Sequence, residues 1–197
     1  MARVLIALVD ISQRKKAEAA LRESERRFRD QAYRDGLTGL HNQRYLYQAL
    51  AEWIERAATE AMPISLVFMD IDRFKTIVDT HGHLNGSRAI HLVAGTVDSC
   101  LDPPAFAVAY AGDEFVVVLP GMDLDQALQK ASQIRAAVRQ TVYALNGDVE
   151  VRLQASFGVA TFPRHASDLN GLIAAADQAL FAVKKTGKDA VGRYHEG

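Results

Sequence analysis

Four carboxylates in two short stretches carry the first chemical signal. Asp70 and Asp72 close the apolar run Ile64–Met69, and Asp113 and Glu114 fall between the apolar runs Ala105–Tyr110 and Phe115–Leu119. Each pair by itself reads first as solvated turn formers. If the strands are neighbours, however, the carboxylates converge at one end of a sheet and repel each other unless a cation sits between them. Hard divalent cations take oxygen ligands, often one or two carboxylates plus substrate phosphates. Such ions can hold the attacking and leaving oxygens of a phosphoryl transfer.

Phosphates need cations as well. Lys75 follows Asp70 by five residues, at the start of the next helix, where the N–H groups of Phe74 and Lys75 could hold phosphate oxygens. Lys184 and Lys188 stand four apart near the end of the last helix. Lysines there also complement the helix dipole without any ligand. His81 and His83 lack partners at metal-ligand spacing and read as a turn. Cys100 has no histidine base nearby in sequence, which argues against a nucleophile.

The elements that must position these groups follow from periodicity and breakers. Asp35-Gly36-Leu37-Thr38-Gly39-Leu40 ends a Gly- and Pro-free stretch, Ser12–Arg34, whose thin apolar seam passes through Leu21 and Phe28. A helix is expected over Asn42–Thr59. Ile64–Met69 is apolar enough to be a strand covered on both faces. Two helical stretches, Arg73–Thr80 and Asn85–Val97, flank His81-Gly82-His83. The runs around Ala111-Gly112-Asp113-Glu114 read as a hairpin. Asp123–Val142 reads as a helix, Val149–Gly158 as a strand, and Leu172–Lys185 as a helix capped by Gly187. Gly158 suggests a close backbone approach. Alternating strands and helices with an antiparallel hairpin predict an α/β fold of the α+β sandwich kind.

Composition removes several classes. The 197 residues carry 23 Lys plus Arg and 24 Asp plus Glu, a formal net charge of -1, so no global basic field exists for a nucleic-acid polymer. One cysteine precludes an intramolecular disulfide. A hydrophobic fraction of 49% with 24% charged residues excludes disorder for the bulk of the chain. Val4–Val9 is far shorter than the roughly 20 residues of a membrane span and too short for a signal core. A soluble, cytoplasmic protein is the expectation.

In combination the motifs resemble those of the GGDEF family, the diguanylate cyclase domains. Ala111-Gly112-Asp113-Glu114-Phe115 resembles the signature. It is accompanied in order by Asp35–Asn42, Asp70–Lys75, Gly82–Gly86, Ala155–Ala160 and Ala176–Phe181 with Lys184 and Gly187. The start, Val9–Glu18, looks like the end of a PAS sensor domain entering its signalling helix. The implied organisation is a sensor remnant over 1–11, a linker helix over 12–34 and a GGDEF-type domain over 35–197. The resemblance implies a nucleotidyl-cyclase palm with a ferredoxin-like sheet. It implies a homodimer that joins two GTP, one per subunit, into cyclic di-GMP and pyrophosphate. Asp70, Asp113, Glu114 and the Ile71 carbonyl would ligate Mg²⁺ or Mn²⁺. Asp113 would also approach the ribose 3′-hydroxyl. Phe74 and Lys75 would hold the terminal phosphates, with Lys184 and Lys188 adding charge. Gly112 would allow close approach of the nucleotide.

Several positions depart from the family's pattern. Ala111 replaces the first signature glycine, which an extended backbone tolerates. Lys188 stands where an arginine is usual, turning a bidentate phosphate contact into a point charge. Val78 and Ser87 occupy the places of the Asn and Asp that read guanine. Val78 cannot hydrogen-bond, and Ser87 offers one hydroxyl. Relaxed base choice follows, with ATP as a second substrate and a mixed cyclic GMP–AMP as a product. The alternative is a degenerate module that binds nucleotide or dimerises for signal relay. Asp102 and Ala105 occupy the positions of the product-inhibition motif, so feedback through that site is not expected.

Overall fold

The computed structural model describes residues 15–20, 22–24 and 31–195. Chain contacts divide the protein into two units, 1–34 and 35–197. In the first, residues 15–20, 22–24 and 31–33 are helical. The expected strand over Val4–Val9 and the seam residues Leu21 and Phe28 lie outside the described residues.

The second unit is a mixed α/β domain built on a six-stranded sheet. Its elements are β1 (His41–Asn42), α1 (Gln43–Glu60), β2 (Ile64–Ile71), α2 (Phe74–Asp98), β3 (Phe106–Ala111), β4 (Glu114–Pro120), α3 (Leu124–Gln140), β5 (Tyr143–Ala144), β6 (Glu150–Val151), β7 (Ala155–Phe162), α4 (Leu169–Thr186) and β8 (Val191–Arg193). The strand order is β1-β3-β4-β2-β7-β8, with β5 and β6 forming a separate pair. Contacts β3–β4, β4–β2 and β2–β7 are antiparallel, whereas β1–β3 and β7–β8 are parallel.

Two apolar layers cover the sheet, as the near-continuous apolar β2 requires. Val67, Met69 and Ile71 pack with α2 and α3, including Val93 and Ile134. Leu66 and Phe68 pack with α1 and α4, including Leu46 and Leu172. This alternation decides which helix can reach a given site residue.

Local sequence explains the element boundaries. Asn42 caps α1 by accepting from the Tyr45 N–H, and Asp123 forms a capping box with Gln126 at α3. The two expected helical stretches after β2 are limbs of one helix, α2, broken at Gly82 (φ 80, ψ 166). The expected strand over Val149–Gly158 is two strands, β6 and β7, and β7 runs on to Phe162. Glycine at 158 is required by packing: a Cβ there would collide with the Leu180 nitrogen and the Ala176 carbonyl of α4. α4 therefore lies directly on β7, and Lys184 is carried to the end of β2.

Candidate active site

β2 and β4 pair so that Asp70 and Glu114 are directly opposite. Asp70 continues the side of β2 that carries Leu66 and Phe68, and Glu114 continues the side of β4 that carries Val116 and Val118. Both carboxylates thus share the sheet face covered by α4. Glu114 is the first residue of β4, not a turn residue; the turn is Gly112-Asp113. The Asp113 carbonyl accepts from the Ile71 N–H (3.2 Å), tying the hairpin turn to the end of β2.

Burial pushes the Asp70 carboxyl above its ordinary pKa. The hydrogen bond and charge of Lys184 pull it back, and the charges of Asp113 and Asp72 push it up again. Glu114 is also raised, first by burial and next by the charge of Asp70, with Asp113 and Asp177 adding to the effect. The site is a cluster of mutually repelling carboxylates with one internal counter-ion. The Lys184 ammonium lies 2.6 Å from Asp70 Oδ2.

Among the described residues no three His, Cys, Asp or Glu side chains form a ready metal cage. Two adjacent carboxylates, with oxygen as the only donor atom, nevertheless fit a hard cation that completes its shell from phosphate oxygens and water. Asp72 is not part of this donor set. Its oxygens accept from Ser156 Oγ (2.8 Å) and from the Asp189 N–H (2.8 Å), so it anchors β7 and the turn after α4.

The β2–α2 junction carries the residues expected to bind phosphate. Arg73 is the N-cap residue at φ 56, and no side chain caps the helix. The Phe74 and Lys75 N–H groups open the helix, where backbone N–H groups lack an intrahelical acceptor, whereas the Thr76 N–H already donates to the Arg73 carbonyl (2.9 Å). Lys75 is exposed beside them. Gly112 has φ 59, and a Cβ there would meet nothing within 4 Å, leaving space over the signature turn. Ala111 is not at positive φ and ends β3 without strain.

Lys188 differs from expectation. α4 ends at Thr186 and Gly187 caps it, so Lys188 lies beyond the helix in the left-handed region (φ 64). Complementing the helix dipole falls instead to Lys184 and Lys185, in the last turn.

The kink at Gly82 folds the two limbs of α2 together. A Cβ on Gly86 would meet Val78 Cγ2 and the Phe74 ring. Val78 therefore packs beside Gly86, the residue preceding Ser87. Asp102 and Ala105 make only a turn, with the Ala105 N–H on the Asp102 carbonyl (3.0 Å). His81 offers its backbone carbonyl to the Asn85 amide. Cys100 Sγ bonds to the Thr96 carbonyl.

Sequence reasoning assigned no role to Asp177, Ser156 or Asp189. Asp177 precedes Lys184 by seven residues, two helical turns, which places both on one face of α4 and was a readable signal. The contacts of Asp72 with Ser156 and Asp189 span 84 and 117 residues and had no local signal.

Known proteins share this sequence pattern and fold. The family model "Diguanylate cyclase, GGDEF domain" matches residues 32–190. Diguanylate cyclase DosC of Escherichia coli (strain K12) is 34% identical over 158 residues, 80% of this chain and 34% of that protein. Diguanylate cyclase DgcP of Pseudomonas aeruginosa is 32% identical over 161 residues, 82% of this chain and 24% of that protein. The chain thus spans about a third or less of these two curated relatives. The crystal structure of the coiled coil and GGDEF domain of DgcB from Caulobacter crescentus, in complex with c-di-GMP, superposes with a TM-score of 0.84 at 28% identity, covering 94% of this chain and 97% of that one. No helix among the described residues is long and apolar enough to cross a membrane. With the sheet order, the signature hairpin and the family match in agreement, the chain belongs to the GGDEF family of diguanylate cyclase domains.

Proposed function

We propose that the chain is the catalytic module of a diguanylate cyclase, acting as a homodimer on GTP with relaxed base choice. One observation carries this reading: Asp70 and Glu114 stand opposite each other at the strand ends, beside the uncapped start of α2. Negative donors for a cation and N–H donors for phosphate meet at one place.

Asp70, Glu114, Asp113 and the Ile71 carbonyl would hold Mg²⁺ or Mn²⁺. When bound, the ion neutralises charge on the triphosphate oxygens. The N–H groups of Phe74 and Lys75 and the Lys75 ammonium orient the terminal phosphates. Lys184 leaves Asp70 and turns its charge to the phosphates, joined by Lys188. Asp113 positions the incoming 3′-hydroxyl. The 3′-oxygen bonds to the α-phosphorus as the bond to the β-phosphate oxygen breaks. Pyrophosphate leaves with that electron pair, and the hydroxyl proton passes to water. Catalysis of this kind is mainly positioning and charge neutralisation. One domain holds one nucleotide, so a head-to-tail ring needs a second copy facing the first.

Val78 and Ser87 supply a base recess with one hydroxyl and an apolar wall. Losing a charged hydrogen bond to guanine costs about 1.5–3 kcal/mol, roughly one to two decades of affinity. ATP therefore competes, and mixed cyclic GMP–AMP is an expected product. The packing of Val78 against Gly86 also supports a second reading, a module that binds nucleotide without turnover. Incubation with Mg²⁺ and GTP, ATP or both, followed by mass spectrometry, separates the two. Cyclic dinucleotides support catalysis, and their absence from a dimeric sample supports the second reading.

A further inference from the structure

Next to the β2–α2 junction lies a cleft of about 500 Å³ whose arginines have no role in the reaction described above. Three guanidinium groups from three elements line it: Arg73 at the start of α2, Arg139 in the last turn of α3, and Arg152 between β6 and β7. Ile77 and Leu153 give it apolar wall. Asp72 is the one acid among these lining residues, and both of its oxygens are committed, to Ser156 and to the Asp189 N–H.

The arginines are under-compensated. Asp189, beside the cleft, is held closely by Arg135 (2.8 Å) and by Gln154 (3.1 Å), and only loosely by Arg139 (3.6 Å). Arg152 spends one donor on the Gln140 carbonyl, leaving the rest of its fork. The Arg73 guanidinium has no hydrogen bond or ion pair among the described residues, and its backbone is held at φ 56, a conformation that persists only where the surroundings impose it. A surplus of forked donors in a chain of net charge -1 suits a compact polyanion with several oxygens, which guanidinium groups bind bidentately.

The geometry points to a diphosphate site. The cleft includes Asp72 and Arg73, which immediately precede the phosphate-binding Phe74 and Lys75, so it adjoins the place where pyrophosphate is released. This inference rests on the proposed reaction for its source of diphosphate: the free pyrophosphate product or the terminal phosphates of the bound nucleotide. The site's chemistry is the same for both.

The test is calorimetric titration of the metal-free full chain with inorganic pyrophosphate and, separately, with a non-reacting GTP analogue. The Arg73→Asn/Arg152→Gln double variant keeps a residue that tolerates the left-handed conformation at 73 and removes two guanidinium groups. Pyrophosphate binding weakened tenfold or more, with the analogue changed less than twofold, supports a site for the free product. Equal weakening of both ligands supports a site for the nucleotide's own terminal phosphates. Unchanged pyrophosphate binding, or none in the wild type, overturns the site. Should the double variant fail to fold, the single Arg152→Gln variant and its rescue by Arg152→Lys give the same decision. The readout does not depend on turnover: pyrophosphate binding without any cyclic dinucleotide would overturn the proposed reaction and leave this site standing.

Discussion

The ammonium of Lys184 sits 2.6 Å from Asp70 Oδ2, joining the last turn of α4 to the end of β2. In the metal-free protein a lysine thus takes the place of a cation among repelling carboxylates. In the proposed reaction Lys184 would exchange this partner for the triphosphate once a metal claims Asp70.

That exchange has an unusual consequence. Lys184→Met removes the competitor for Asp70 and should tighten Mn²⁺ binding to the nucleotide-free protein by about tenfold, or ~1.4 kcal/mol. It should also lower turnover, because the phosphates lose a counter-charge. Mn²⁺ titration followed by electron paramagnetic resonance and a turnover assay check the two effects; weaker Mn²⁺ binding would contradict the exchange.

The pKa directions set a pH dependence. Asp70 and Glu114 are both raised in the folded protein, so in the affected window the native state holds more protons than the unfolded chain. Stability of the metal-free protein should then fall as pH rises from the ordinary carboxylate range through the raised values. A saturating divalent cation, which favours the ionised forms, should remove that fall. Thermal unfolding across pH in EDTA and in Mg²⁺ measures it, and stability rising with pH in EDTA through this window would contradict it.

Gly158 tests the packing that delivers Lys184. A methyl at this position meets backbone atoms of α4, which cannot rotate away. Gly158→Ala should cost about 3 kcal/mol through overpacking, or prevent folding. Urea denaturation gives the value, and a cost below about 1 kcal/mol would show that α4 can shift off β7.

The base recess yields a specificity prediction. Ser87→Asp with Val78→Asn should raise the preference for GTP over ATP by roughly one to two decades. Competition between the two nucleotides, read as product ratio, measures it. An unchanged ratio would place the base elsewhere.

Much of this architecture was legible from local signals. Asn42 and Asp123 announce the starts of α1 and α3, and the apolar run Ile64–Met69 announces a central strand. Glu114 opposite Asp70 follows from hairpin placement once the strands are adjacent. What stayed hidden depends on distant partners or on very short elements. β8 has three residues and pairs in parallel with β7, so it leaves almost no pattern. Asp72 looked like a companion of Asp70, yet the strand ends between them and its carboxylate joins Ser156 and Asp189. Lys184 and Lys188 stand four apart, but Gly187 ends the helix between them, so Lys184 lies in the last turn and Lys188 beyond it.

In the proposed reaction, nucleotide condensation depends on the carboxylates that face each other across β2 and β4. The most direct measurement is mass-spectrometric detection of cyclic dinucleotide from dimeric protein with Mg²⁺, GTP and ATP, comparing wild type with Glu114→Gln. Product is expected from the wild type, with a loss of about two orders of magnitude or more in the variant, in which one proposed metal-binding carboxylate becomes a neutral amide. No product from the wild type at high enzyme concentration, or undiminished product from Glu114→Gln, would contradict it.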